Sequence, residues 1–410
     1  MGLKIGICGL RFGGRFVRYF QEHPLVEAVY VADLMPERVK AVVDKHGVST
    51  TFRTLDELLA SDIDALGLFT QEWTHAPLAM KALRLGKHVY SAVPAAVTVE
   101  EMAQLIEVVK ETGLTYMVGE TSYYYPAAIY CRERLARGDF GRFVYAEGEY
   151  LHDMSEGPKG RGRASLGDEW KPFASNPPML YATHATNIVL SVIGAHFTHV
   201  ACLGQVDEAE DGLFKADLSH WGNEFSNQTA LMRTSDGGMA RINRFRRVGW
   251  AEAKMAGNVR LSLFGTLASY EEQSLAKTWQ ALNTSVERDL REAEDLSALL
   301  TCAPRYATPD AAAGYWPGMA PIHPRERLPA SYISIPNGHE GSHPFLVDDF
   351  VRACATGKLP PNHIWSAARD CVPGMIAHLS SQRGGEMLAI PDFGDPPASA
   401  ERLTPTTYAN

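Results

Sequence analysis

The sequence has no apolar run long enough to cross a bilayer, no basic leader before its first apolar stretch, no Cys-x-x-Cys pair and no excess of positive charge. Each absence excludes a class of protein. Without a span or a leader, a cytoplasmic protein with no membrane partner is expected. The six cysteines, Cys8, Cys131, Cys202, Cys302, Cys354 and Cys371, are scattered, which argues against a disulfide framework or a zinc site and for reduced thiols. With Lys and Arg numbering 39 against 48 Asp and Glu, the net charge of −9 disfavours nucleic-acid and anionic-membrane partners. Neither an internal repeat nor a low-complexity tract occurs. A small-molecule partner is the expectation that remains.

What is present is a globular composition, 45% hydrophobic and 21% charged over 410 residues, enough for two domains. Apolar runs at Lys4–Cys8, Ala28–Ala32, Ala65–Phe69, His88–Ser91 and Tyr116–Val118 alternate with helical patterns near 13–22, 36–46, 75–86 and 98–112. Strand and helix alternation of this kind predicts a parallel sheet covered on both faces, a Rossmann domain over 1–125. Thr98 with Glu101 predicts a capping box, and Gly113 a C-terminal stop.

Beyond Pro126 the rhythm changes. One helix leads to a strand at Phe143–Tyr150. Phe225–Thr234 and Met239–Val248 then form a hairpin pattern around Ser235-Asp236-Gly237-Gly238, and Val259–Phe264 adds a strand. The fold expected is α/β: the N-terminal Rossmann domain plus an α+β domain over 126–410 with an open, largely antiparallel sheet. Met154–Met179 and Cys302–His343 are long irregular stretches, and helices are predicted near 344–356 and 364–380 before a short strand at Met387–Ile390.

Gly9-Leu10-Arg11-Phe12-Gly13-Gly14 stands between the first strand and its helix, where a dinucleotide phosphate loop belongs. Gly9 and Gly14 occupy the first and third glycine positions, while Arg11 takes the second, at which the backbone normally approaches the pyrophosphate. Asp33 ends the second strand, at the right distance for a carboxylate that accepts from the adenosine ribose and favours NAD over NADP. Two plainer readings compete: a simple strand-to-helix turn, and a cap for the helix starting at Pro36.

From here the order of segments resembles the glucose-fructose oxidoreductase and inositol dehydrogenase superfamily. Phe69-Thr70-Gln71-Glu72-Trp73-Thr74-His75 resembles its Thr-Pro-Asn-x-x-His segment, and Leu85-Gly86-Lys87-His88-Val89 its Ala-Gly-Lys-His-Val. Where the dehydrogenases carry Glu-Lys-Pro, this chain has Ala92-Val93-Pro94, without acid or lysine. Val93-Pro94-Ala95-Ala96, Glu120, Glu147 to Asp153, Trp170-Lys171, Tyr181 to His184, Gly338 to Gly341 and Ile390 to Phe393 are similar to the NAD-dependent α-N-acetylgalactosaminidases. NAD-dependent sulfoquinovosidases share this type of fold. The resemblance implies an NAD cofactor contacted by Gly9, Leu10, Arg11, Phe12, Gly13, Gly14, Asp33, Thr70, Trp73, His75, Val93, Glu120, Trp170 and Lys171.

Glycosidases of that kind oxidise the sugar at C3, remove the acidified C2 proton, expel the C1 substituent, add water and return the hydride. Tyr181 and His184 lie three residues apart and share one face of a helical turn. By the resemblance they are assigned to proton transfer at C2 and C3, with Tyr150 assisting and His339 near the sugar or leaving group. The plain alternative for each is a buried structural side chain. His339-Glu340-Gly341-Ser342-His343 also matches the zinc string His-Glu-x-x-His, but its flanking Gly and Pro residues predict a loop and a helix start. Lys159, Arg161, Arg163 and Lys171 with Arg244, Arg246 and Arg247 offer a cationic pocket for an anionic sugar. The interleaved Glu156, Asp168 and Glu169 equally fit a solvated face.

The leading expectation is therefore an NAD-dependent glycosidase. An NAD-dependent sugar or cyclitol dehydrogenase with His184 as base comes second, and a non-catalytic NAD-bound sensor third. A homo-oligomer is expected by analogy, through the exposed antiparallel sheet.

Overall fold

The strand and helix patterns are realised in a computed structural model that describes residues 2–153, 167–249, 258–273, 276–281, 293–304 and 316–404. Its contacts divide the chain into two compact units: Met1–Tyr124 with Cys302–Ala368 and Phe393–Asn410, and Tyr125–Thr301 with Arg369–Asp392. Among the described residues no helix is long and apolar enough to cross a membrane.

In the first unit, β1 (Leu3–Cys8), β2 (Val26–Ala32), β3 (Thr51–Phe52), β4 (Ala65–Leu68), β5 (His88–Ser91) and β6 (Tyr116–Val118) form one sheet. Its order is β3-β2-β1-β4-β5-β6, and every pair is parallel. Parallel strands covered on both faces need apolar side chains in continuous runs; Ile5, Ile7, Val31, Ala65, Leu66 and Val89 are accordingly buried. Between the strands stand α1 (Leu10–Gly13), α2 (Val17–Gln21), α3 (Pro36–His46), α4 (Leu55–Leu59), α5 (His75–Arg84) and α6 (Val99–Thr112).

The single helix expected over 13–22 is two short ones. The Gly13-Gly14 pair has poor helix propensity, and the chain tightens there into three-residue bonds, Arg15 N to Phe12 O and Phe16 N to Gly13 O. At α6, Thr98 Oγ1 accepts from Glu101 N, while Glu101 Oε2 accepts from Val97 N, one residue before the position a capping box would use.

A single cut at 125/126 does not describe the two units. The helix α11 (His343–Thr356), which follows four helices of the second unit named below, carries Phe345, Leu346, Val347, Phe350 and Val351 in the same buried cluster as Phe16, Phe20, Val31 and Tyr90. A helix apolar on most of its circumference needs cover all round, and the Rossmann core supplies it. Arg327, Asp348 and Asp349 add a buried ionic knot: Arg327 donates to Asp348 Oδ2 at 3.1 Å and to Asp349, which also accepts from Tyr124.

The second unit opens with α7 (Pro126–Ala136) and β7 (Phe143–Leu151), then α8 (Trp170–Ala174) and α9 (Thr183–Ile193). There follow β8 (Phe197–Val206), β9 (Phe225–Thr234), β10 (Met239–Phe245), β11 (Val259–Gly265), β12 (Ala268–Glu272), β13 (Lys277–Ala281), β14 (Glu294–Asp295) and α10 (Ser297–Leu300). The helix α12 (Ile364–Gln382) and the strand β15 (Leu388–Ala389) come from the C-terminal part of the chain. The sheet order is β14-β13-β12-β11-β7-β10-β9-β8-β15. All pairs are antiparallel except β7 with β10.

The expected hairpin forms between β9 and β10, closed by Thr234 N on Gly238 O with Gly237 at φ 89°. It stops at Phe245 instead of Val248: Arg246 N is shared between Ser226 O and the side chain of Asn227, and Arg247 N donates to that side chain. Helix α9 packs on β7 and β11 at a distance only glycine permits: a Cβ on Gly148 of β7 would lie 2.1 Å from Ala185 O. That close approach brings the start of α9 to the end of β7. Cys8, Cys131, Cys202 and Cys371 are buried free thiols; Cys302 and Cys354 are partly exposed free thiols.

Candidate functional site

The first unit carries a phosphate-loop geometry at the C-terminal end of β1. Gly9 adopts a left-handed conformation at φ 90° and precedes α1. A Cβ there would lie 2.3 Å from Phe69 O, so the loop can run against the end of β4 only because residue 9 is glycine. Arg11, at the second glycine position, points an exposed side chain outward. Gly13 faces the Phe69 ring, Leu10 is buried, and Phe12 packs edge-on to Phe16 and Phe69.

Asp33 is held at the end of β2 by two backbone donors. One carboxylate oxygen accepts from Leu10 N at 2.7 Å and so ties β2 to the loop; the other accepts from Met35 N at 2.9 Å ahead of α3, with Arg38 at 3.6 Å. A left-handed glycine, a following helix turn and an acid at the end of β2 fit a dinucleotide.

The remaining cofactor candidates of this unit gather at the ends of β4, β5 and β6. Thr70 Oγ1 and Thr74 Oγ1 are 2.7 Å apart, and Trp73 lies in the short 3-10 turn between them. His75 is 1% exposed, with Nδ1 2.8 Å from Pro94 O and Nε2 3.1 Å from Thr70 O. Burial lowers its pKa, and its place is behind the two loops, which it holds together. Val93 is buried before Pro94, and Glu120 is fully buried with Oε1 accepting from Ser122 N and Oγ.

His339 also belongs to this unit. Its Nδ1 is 2.8 Å from His343 Nε2, and its ring is edge-on to Phe12 at 5.6 Å. His339, Glu340 and Gly341 run at φ 49°, 48° and 88°. Two non-glycine residues held left-handed in succession are costly and mark an over-determined turn. His343 starts α11, so the His-Glu-x-x-His string is not on one helix. Among the described residues no cluster of three or more His, Cys, Asp or Glu could hold a metal ion. Behind the turn His323 Nε2 lies 3.0 Å from Tyr124 O, and burial brings its pKa down to about 4.

The second unit assembles Tyr150, Tyr181 and His184. Tyr150 is at the end of β7, Tyr181 closes the 3-10 turn Pro178–Tyr181, and His184 is the second residue of α9. Ring centroids are 5.0 Å apart for Tyr150 and His184, 5.8 Å for Tyr181 and His184, and 6.2 Å for Tyr150 and Tyr181. The turn bearing Tyr181 is fastened from behind. Met179 N donates to Gln228 Oε1 at 2.9 Å, and Gly374 of α12 leaves no room for a Cβ against Met179 O.

Two residues of this cluster, His152 and Arg244, lie outside the expected proton-transfer set. His152 Nδ1 is 3.0 Å from the Tyr150 hydroxyl. The spacing i, i+2 on a strand is the signal that would have found it. Arg244, 2% exposed, places its guanidinium carbon 3.8 Å from the Tyr150 ring centroid.

Among the described residues, the basic candidates Lys171, Arg246 and Arg247 are engaged within the second unit. Lys171 donates to Asp211 O at 2.6 Å, and Trp170 is buried with Leu213 and Phe214. Arg247 bridges Asp207 and Asp211, while Arg246 donates to Ala174 O. Lys159, Arg161, Arg163 and Glu156 lie outside the described residues.

Residues 3–120 match the model of the oxidoreductase family with an NAD-binding Rossmann fold. Over 140 residues the chain is 31% identical to an alpha-N-acetylgalactosaminidase of Bacteroides fragilis, covering 33% of this chain and 32% of that one. The match thus spans about a third of that relative's length. Over 424 residues it is 23% identical to glycosyl hydrolase family 109 protein 1 of Bacteroides thetaiotaomicron, covering 95% of this chain and 84% of the other. Among solved structures, levoglucosan dehydrogenase in complex with NADH and levoglucosan is similar at a TM-score of 0.72 and 19% identity, over 96% of this chain and 100% of that one, a likeness of fold. Residues 3–120, with their left-handed Gly9 and buried Asp33, thus form a domain matching the oxidoreductase family with an NAD-binding Rossmann fold, and the cofactor is NAD.

Proposed function

We propose that the protein is an NAD-dependent glycosidase that borrows and returns a hydride. The observation that carries this reading is the convergence of Tyr150, Tyr181 and His184 within about 6 Å of one another in one unit, combined with Val93 where the superfamily's dehydrogenases carry lysine. The similarity to a named glycosidase over 95% of the chain supports it.

NAD, held by the Gly9–Gly14 loop and Asp33, supplies reversible hydride removal at the sugar C3. The chain's own residues then have three proton tasks. The C3 hydroxyl loses its proton to a base as it becomes a carbonyl; the C2 proton, made acidic by that carbonyl, is removed by a second base; and the departing C1 oxygen receives a proton. His184 and Tyr181 serve C2 and C3 in this reading, with Tyr150 beside them, because a histidine titrates near neutrality and a tyrosine hydroxyl both donates and accepts. The sugar would be a small glycoside.

The test is hydrolysis of nitrophenyl glycosides by the purified protein without added NAD, run in deuterium oxide. Aglycone release with deuterium at C2 of the recovered sugar is expected. Stoichiometric NADH from free sugars with no aglycone release overturns the reading and supports the second one, an NAD-dependent sugar dehydrogenase with His184 as base, which the fold shared with levoglucosan dehydrogenase favours.

A further inference from the structure

The Tyr150 hydroxyl has a titratable partner to which the proposed reaction gives no task. His152 lies two residues further along the same extended segment, so both side chains emerge on one face. The His152 Nδ1 atom is 3.0 Å from the hydroxyl, and the two rings are stacked at 5.4 Å and 22°. His152 is partly exposed whereas Tyr150 is buried. A proton given up by Tyr150 therefore has a route toward water through the imidazole.

Arg244 faces Tyr150 from β10, registered directly against it. Its guanidinium lies over the phenol ring, and its N–H groups donate to Tyr181 O at 3.2 Å, Tyr150 O at 3.3 Å and Phe245 O at 3.1 Å. A buried cation over an aromatic face favours negative charge on that ring. Among the described residues, Tyr181, from the turn before α9, and His184 on α9 also face Tyr150; from β11 the registered neighbour is Val259.

We propose that His152 and Arg244 are positioning residues that make Tyr150 a proton relay. The Tyr150 O–H bond breaks as an N–H bond forms at His152 Nδ1, and the proton on His152 Nε2 passes to water. Arg244, lying over the ring, offsets the charge of the phenolate, whose oxygen then takes one proton from the sugar; the return of the hydride reverses the sequence. The relay rests on the glycosidase reading above.

The experiment compares the full-length, NAD-loaded protein with H152A, H152Q, R244K and R244M, checking by thermal melting that each is folded. In H152A, kcat is expected to fall by about a hundredfold with little change in KM, to lose one limb of its pH profile, and to recover in part when imidazole is added. Glutamine keeps a hydrogen bond to Tyr150 but carries no titratable nitrogen, so H152Q is expected to stay as slow as H152A. R244M is expected to lose more kcat than R244K, which keeps the charge. Wild-type rates in H152Q, or no response of H152A to imidazole, overturn the relay. If wild-type protein releases no aglycone, the glycosidase reading falls instead, and the same variants assayed for NADH formation from free sugars decide the relay on its own.

Discussion

At the scale of single residues, the first unit depends on a side chain that is missing. Gly9 combines a left-handed backbone with a Cβ position 2.3 Å from Phe69 O. In Gly9→Ala the dihedral alone costs about 1–3 kcal/mol, and the collision pushes the loop off the end of β4. We expect a lower melting temperature together with weakened NAD binding, measured by melting with and without cofactor. His184 is the converse case, a residue to which the proposed mechanism gives a chemical task. His184→Gln keeps the size and polarity at the start of α9, so turnover is expected to fall by about 10²–10⁴-fold while NAD titration curves stay unchanged. Equal losses of turnover and NAD affinity would argue for a structural role. Asp33 shows why single-residue signals were only half legible: its place after β2 raises the expectation of ribose recognition, but its bond to Leu10 N joins residues 23 apart and depends on the fold.

At the scale of elements, α11 is the piece that sequence order misassigns. It lies more than two hundred residues beyond the last Rossmann strand, yet its apolar residues complete that core and its first turn supports the His339 loop. Arg327 secures it between Asp348, Asp349 and Tyr124. Arg327→Met takes the cation from buried Asp349, while Asp348 keeps Arg352 at 3.6 Å; we expect a loss of about 3–5 kcal/mol, read from urea unfolding. The double variant Arg327→Met with Asp349→Leu should recover part of it, because the cost lies chiefly in the abandoned charge. Elements with strong local signals were legible: α3 begins at Pro36, α6 is capped by Thr98, and the hairpin turns at Gly237. The parallel pairing of β7 with β10 was not, since no local pattern specifies a neighbour ninety residues away. Arg244 went unassigned to the tyrosine cluster for the same reason, because its partner Tyr150 is reached only through that pairing.

At the scale of the whole molecule, each unit holds a buried histidine that resists protonation. Burial brings His323 in the first unit and His378 in the second down from 6.5 to about 4. Between those values the unfolded chain binds more protons than the folded one, so stability rises with pH. The contribution is fully present above about pH 6.5 and lost as the pH falls toward 4, on the order of 3 kcal/mol for each histidine. Unfolding free energies measured across that range should drop steeply toward acid, and less steeply in His323→Gln; a flat profile would contradict the burial argument. By itself the sequence determined the Rossmann domain and the cofactor class, because periodicity, caps and phosphate-loop glycines act over a few neighbouring residues, and it supplied the residue types on which the proposed proton transfer rests. Only the tertiary structure decided that α11 belongs to the Rossmann core, that His75 braces two loops from behind, and that Tyr150 meets His152 and Arg244. The physical reason is the same in each case: burial and hydrogen-bond partners depend on which distant segments pack together, and the phosphate-loop signature itself works only because Gly9 can lie against Phe69.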